Sequence, residues 1–295
     1  HHSCVVTEVV GEIKPEGADI DTSATENEHI LLKNMREIHN HLSDSTNLQE
    51  AFNDASQWKE QASQAFKLRV ISLVEMGKIE TLYWQIMRFV QAAYKDADFI
   101  PEDLQGLDYS LSSQYLCNFS IFQSAVDSWA IGQLLPVTPL VGLNKKPVKN
   151  CSLVDITCDS DGKIDQFVVD HAISDIIPLP AFSENEKCYL GMFLTGAYQD
   201  VMGDMHNLFG RLNEVHIFSH DDDPEDFYIE EVIKGTTVEQ VLSIMQYHPS
   251  AMAIDVKRSI DKEVAAGKIP PREGVKWTDF YEDCLAGYTY LRTAD

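Results

Sequence analysis

The run SLVDITCDSDGKIDQFVV, residues 152–169, decides how the middle of this chain is read. Two short β-branched stretches flank a cluster of Asp, Ser and Gly, the composition of two strands joined by a turn. The same plan continues on either side, in YLCNFSIF from residue 115, CYLGMFL from 188, EVHIFSH from 214 and DFYIEEVI from 226. Pro136, Pro139, Pro178 and Pro180 fall in the connections, where a missing N–H costs little. Residues 111–235 are therefore expected to form an all-β domain, interrupted by a short helix between Ala197 and Phe209.

Upstream the period changes. Leu31, Met35, Ile38 and Leu42 recur every three or four residues, Trp58, Ala62, Phe66 and Leu73 mark another stripe, and Ile79, Leu82, Ile86 and Val90 a third. Thr46 and Gln49 have the spacing of a capping box ahead of Phe52. Three or four helices in a small bundle follow, within a segment bounded at 28–110. Such stripes form cores, and no chemistry is assigned to them. The preceding segment, 1–27, divides into CVVTEVVGEI (4–13), read as a buried strand on which something upstream packs, and the linker KPEGADIDTSATEN (14–27). At the other end, Thr236 and Glu239 form a second capping box. The helix it opens is expected to be buried through Val238, Val241, Leu242 and Met245, within a helical tail over 236–295.

Forty-seven acidic against 23 basic residues leave a net charge of −24, which argues against a nucleic-acid partner because phosphate binding needs clustered Lys and Arg. The acidity reads first as a solvated surface and second as an attraction for a cationic substrate. Six cysteines without a CxxC pair or regular spacing indicate neither zinc nor a disulfide framework. That usage fits a cytoplasmic home, and no apolar run is long enough to span a membrane.

Two places carry candidate chemistry. In Asp155-Ile-Thr-Cys158-Asp159-Ser160-Asp161-Gly162 a thiol and a carboxylate sit side by side at a strand end, where sites tend to be built. A calcium loop is excluded: with Gly162 at loop position 6, Thr157 and Val168 occupy positions that need acids. Cys158 taken alone reads as one more small hydrophobe, since no His or Lys beside it in the sequence marks it for activation. Gly196-Ala-Tyr198-Gln offers a step where backbone approaches an anion and the Tyr198 hydroxyl donates to it, with a packed Tyr the equal alternative. His206 reads as a satisfied, partly buried histidine.

CDSDG (158–162), GAYQ (196–199) and MHNLFG (205–210), in that order, resemble the C-terminal β-domain signatures of pyridoxal-phosphate decarboxylases of the alanine racemase and ornithine decarboxylase fold, fold type III. NFSIFQS (118–124), DSW (127–129), LPVTPL (135–140) and GYTYL (287–291) resemble the biosynthetic arginine decarboxylases in particular. The resemblance implies an α+β chain: a C-terminal β-sandwich or β-barrel domain, an inserted helical bundle and a helical C-terminal extension, without the (β/α)8 barrel. His1 and His2 then look native, as the residues that follow the barrel.

The same resemblance implies decarboxylation of L-arginine to agmatine in polyamine synthesis. Pyridoxal 5'-phosphate would be carried by a lysine on the missing barrel, and Mg2+ is left open as an accessory ion. It gives Cys158 the role of catalytic proton donor and Asp159, with Asp161, that of binding the cationic end of the substrate. Tyr198 would hold the cofactor phosphate. In such relatives Cys158 and Asp159 reach a partner's barrel, which implies a homodimer or a higher homo-oligomer; the fragment alone is expected to be inactive. Two rivals are a decarboxylase-like regulatory chain without catalysis and a decarboxylase acting on ornithine or lysine.

Overall fold

The computed structural model describes residues 3–292 except 46, 96, 98, 184, 185, 197, 221 and 222. Its first strand, β1 (Cys4–Ile13), has hydrogen-bonded neighbours on both edges. Val5 and Val9 pack inward with the buried Thr7, whereas Val6 and Val10 are exposed. Within residues 3–292 the strand is covered on one face, and Val6 and Val10 stand on the other. Its β-branched content suits a central position in the sheet, and strand alternation sends every second side chain outward.

Three helices form the bundle: α1 (Ile30–His41), α2 (Leu48–Lys67) and α3 (Leu73–Tyr94). Leu32, Met35, Ala55, Ala62, Ile79, Leu82, Ile86, Met87 and Val90 are its fully buried apolar positions. Thr46 lies outside the described residues; the cap of α2 is Asn47, which accepts from the Glu50 N–H at 3.2 Å. The predicted stripe holds at Trp58 and Ala62 only: Phe66, in the last turn of α2, and Leu73, beyond the reversal between α2 and α3, are both exposed.

Residues 14–27 are not a free linker but a strap along α3. Arg88 donates to the Pro15 carbonyl at 2.7 Å, Thr81 to that of Ala18 at 3.1 Å, and the buried Lys78 to that of Ser23 at 3.0 Å. Side chains supply the donors that a neighbouring strand would otherwise give.

A short helix, α4 (Leu107–Ser110), leads into β2 (Ser113–Cys117). The run YLCNFSIF then departs from the predicted strand: it leaves the sheet after Cys117 and turns into α5 (Ile121–Ser124) and α6 (Val126–Ile131). Short buried apolar runs do not distinguish helix from strand, and here the buried Ile121 and Phe122 lie on a helical turn. The remaining strands are β3 (Val137–Pro139), β4 (Pro147–Val154), β5 (Lys163–Ile164), β6 (Phe167–Val169), β7 (Ala172–Ser174), β8 (Ile177–Pro180) and β9 (Cys188–Phe193).

The main sheet runs β3-β9-β1-β2-β4-β5, with β8 also paired to β4; β2 and β4 are parallel and the other pairs antiparallel. Because β8 also approaches β3, the sheet nearly closes around Tyr115, Cys117, Leu153, Phe167, Leu179, Leu190 and Met192. Pro139, Pro178 and Pro180 lie within β3 and β8 rather than in connections, and both are short outer strands, where a missing donor is tolerated.

After β9 come α7 (Tyr198–Met202), a 3-10 turn at His206–Leu208, and the hairpin β10 (Glu214–His220) and β11 (Asp223–Ile233). The hairpin is a sheet of its own, with exposed Val215, Ile217, Ile229 and Val232 on one face. The tail holds α8 (Val238–Ile244), α9 (Pro249–Ala265) and α10 (Pro271–Leu285). Its capping box sits one residue later than predicted, on Thr237 and Gln240, because the Thr236 hydroxyl is engaged by the Arg211 N–H at 2.9 Å. Of the four positions expected to be buried only Val241 is fully so, and Met245 is exposed.

The architecture is α+β, a nearly closed sheet with a helical bundle and a C-terminal helical extension.

Candidate functional site

The turn between β4 and β5 is built around Asp155. Its buried carboxylate accepts three hydrogen bonds: from the Ile121 N–H at 2.9 Å, the Thr157 N–H at 2.8 Å and the Thr157 hydroxyl at 2.7 Å. Its own N–H donates to the Gly162 carbonyl at 2.8 Å, closing the loop. A Cβ on Gly162 would stand 2.2 Å from Asp155 Oδ1, so the turn requires glycine there. Asp155 is thus structural: it fixes the path of residues 156–162, and with it where Cys158 and Asp159 project.

A second segment reaches the same place from 198–210. The buried Gln199 accepts from the Asp127 N–H at 3.4 Å, Gly203 has no room for a side chain beside Gln123, and the Asp204 N–H donates to the Phe122 carbonyl at 2.9 Å. Residues 119–131 therefore serve both loops as a common platform, since Ile156 N–H also donates to the Phe119 carbonyl at 3.2 Å. The platform is made of the very segment that leaves the sheet.

Where the two loops meet, neighbouring residues pair with neighbouring residues. His206 Nε2 lies 3.0 Å from Asp159 Oδ2, and the Asn207 side-chain amide donates to Cys158 Sγ at 3.2 Å. The His206 ring also rests on Phe122, centroids 4.5 Å apart, and Phe122 meets Trp129 edge to face. Cys158 is exposed, and the Asp159 side chain retains 34% of its accessibility. Neither is sealed inside the module.

Asp161 is exposed and donates its N–H to Asp159 Oδ1 at 2.9 Å, so it steadies the same carboxylate. Tyr198 opens α7, is 72% exposed and, among the described residues, makes no hydrogen bond through its hydroxyl. The structure thus brings Cys158, Asp159 and Asp161 together, and leaves Tyr198 on the connecting segment before the 3-10 turn.

His206 and Asn207 meet Asp159 and Cys158 here, although sequence reasoning read His206 only as a satisfied histidine and gave Asn207 no role of its own. Asn207 and Leu208 both have positive φ, 55° and 66°. Asn is among the few non-glycine residues that tolerate this region, a sequence cue to the turn beside the motif MHNLFG that contains it.

The terminal segment locks the exit of that turn. Gly210 N–H donates to the Thr289 hydroxyl at 3.0 Å, Tyr290 OH donates to the Gly210 carbonyl at 2.7 Å, and Asn118 exchanges two hydrogen bonds with the Leu291 backbone. Burial pushes the Tyr290 hydroxyl well above the ordinary phenol range, so it remains a donor throughout the neutral range. Among the described residues no cluster has the donors of a metal centre, no helix is long and apolar enough to cross a membrane, and all six cysteines are free.

Comparisons with known proteins agree with this layout. Residues 25–108 match the arginine decarboxylase helical bundle domain, and residues 238–291 the arginine decarboxylase C-terminal helical extension. Over 99% of its length the chain is 41% identical to the biosynthetic arginine decarboxylase of Gloeobacter violaceus and 38% identical to that of Phocaeicola vulgatus. It spans 45% and 46% of those proteins, about half the length of the curated relatives it matches. The crystal structure of the biosynthetic arginine decarboxylase of Campylobacter jejuni has the same fold. The TM-score is 0.77 at 24% identity, covering 99% of this chain and 46% of that one.

Proposed function

This chain belongs to the biosynthetic arginine decarboxylase family, and from that premise we propose that it is the C-terminal part of an enzyme that converts L-arginine to agmatine and carbon dioxide. The observation that carries the reading is the exposed Cys158–Asp159 pair, held at one face of the β-domain by two separate loops. In this reading residues 1–27 lead from the barrel into the first strand and a strap, 28–110 are the inserted bundle, 111–235 the β-domain and 236–295 the extension.

The side chains fit a pyridoxal phosphate site shared between subunits: the thiol and carboxylate of residues 158–159 on one side and, in Tyr198 on the connecting segment, an exposed phenol whose hydroxyl has no partner among the described residues. When bound, that cofactor supplies the electron sink for loss of carbon dioxide. The lysine that carries it is expected on the barrel, in the part of the relatives that this chain does not span.

Within this frame Cys158 delivers a proton to the substrate α-carbon. Asp159 takes the guanidinium: a carboxylate offers about four lone-pair directions, and Asp161 N–H and His206 occupy one on each oxygen, leaving room for a two-pronged contact. Asp161 adds negative charge beside it. Tyr198 donates to the cofactor phosphate. Cys158 and Asp159 serve the barrel of a partner subunit, so the working unit is a homodimer or a multiple of one.

Turnover by the full-length protein should be far faster with arginine than with ornithine or lysine. Equal or greater turnover of ornithine or lysine in a direct carbon dioxide release assay refutes the substrate assignment, and no turnover of any of the three favours a non-catalytic chain. In Tyr198→Phe the loss of one charge-assisted hydrogen bond, about 1.5–3 kcal/mol, should weaken cofactor retention roughly ten- to a hundredfold. Retention unchanged after dilution, followed by the cofactor's absorbance, removes Tyr198 from the phosphate site.

A further inference from the structure

We propose that His206 and Asn207 form a positioning clamp for the proposed site: His206 orients Asp159 and so sets the affinity for the cationic substrate, while Asn207 orients the Cys158 thiol and so sets turnover. The inference rests on the roles proposed above for Cys158 and Asp159, and adds two residues that act through them.

Two adjacent residues of one turn each meet one of two adjacent residues of another, at 3.0 Å and 3.2 Å. An isolated surface ion pair would carry little weight, because exposed side chains lose much of their attraction to water and to their own freedom. Here both partners are held from behind. Asp159 is fixed on its other oxygen by the Asp161 N–H, and the His206 ring lies on Phe122, itself buried.

The backbone is the second, independent observation. Asn207 and Leu208 are consecutive non-glycine residues in the left-handed region, a conformation that costs free energy and persists only where the surroundings enforce it. That conformation places the Asn207 amide against Cys158 while the preceding residue reaches Asp159. The bonds from Gly210 to Thr289 and Tyr290 anchor the turn immediately downstream, so the helical extension holds the clamp from outside.

Chemistry divides the two roles. Only the Cys158 thiol is asked to deliver a proton, and a thiol turned away from the α-carbon loses rate without losing substrate. Only the Asp159 carboxylate is asked to meet a planar, two-pronged cation, which needs a fixed orientation. His206 should therefore act on KM and Asn207 on kcat.

The test is steady-state kinetics of the full-length holoenzyme with arginine. His206→Ala should raise KM about tenfold with kcat nearly unchanged, and His206→Gln, whose amide keeps a donor, should recover most of the loss. In Asp159→Ala, adding His206→Ala should raise KM no further, because residues acting as a unit are not additive. Asn207→Gly keeps the left-handed backbone while deleting the amide, and should lower kcat about tenfold at constant KM. An unmoved KM in Asp159→Ala alone overturns the substrate-binding role beneath the clamp. If Asp159→Ala raises KM but His206→Ala does not, or if the two effects add, the His206 half is overturned by itself. Full kcat in Asn207→Gly overturns the Asn207 half.

Discussion

Cys158→Ala in the full-length enzyme is expected to retain pyridoxal phosphate and to lose agmatine formation by roughly 10²- to 10⁴-fold, the range for removing a positioned proton donor. The thiol is exposed, and its one hydrogen-bond partner among the described residues is the Asn207 amide, so replacing it leaves no buried group unsatisfied. The fold should not suffer: the loop is held by Asp155, Thr157 and Gly162, none of which touches the sulfur through a hydrogen bond. A fall in kcat with normal cofactor absorbance and an unchanged melting temperature is the expected signature. Agmatine formation at the wild-type rate contradicts the assignment of Cys158.

Asp159→Ala is expected to act on binding. A charge-assisted hydrogen bond to a cation is worth about 1.5–3 kcal/mol, which corresponds to a rise in KM for arginine of roughly ten- to a hundredfold. The geometry favours a specific contact over general attraction by an acidic protein. The chain carries a net charge of −24, and removing one of 47 acids hardly alters its overall field, so a large change in KM has to come from a contact at the site. Raised salt should weaken the long-range component in both proteins alike and leave their KM ratio intact. A KM equal to that of the unaltered enzyme removes Asp159 from the substrate's path.

The helical stripes were the most legible part of the fold, since a bundle core needs only local periodicity. Leu31, Met35 and Leu42, or Ile79, Leu82, Ile86 and Val90, are buried because their spacing puts them on one face. Sequence failed where tertiary partners override local pattern. Ile121–Ser124 has the composition of a strand, yet Ile121 N–H is taken by the Asp155 carboxylate and the segment coils into the platform beneath both loops. The cap at 236 slipped to 237 because Arg211, distant in sequence, claims the Thr236 hydroxyl. At the proposed site, local sequence marks Cys158, Asp159 and Tyr198 as candidates, and the roles proposed for them and for Asp161 come from the resemblance of three ordered motifs. His206 stayed hidden because its partners Asp159 and Phe122 come from other segments of the chain, and no local spacing encodes such a meeting.

Subunit mixing tests the composite site most directly. Full-length protein carrying Cys158→Ala is combined with full-length protein in which the cofactor lysine is replaced, each inactive alone, and the subunits are allowed to exchange. A site shared across the dimer gives every mixed dimer one intact centre, and random pairing then restores about a quarter of wild-type agmatine formation. No recovery, with exchange verified by mass spectrometry, contradicts the claim that Cys158 of one subunit completes the site of another.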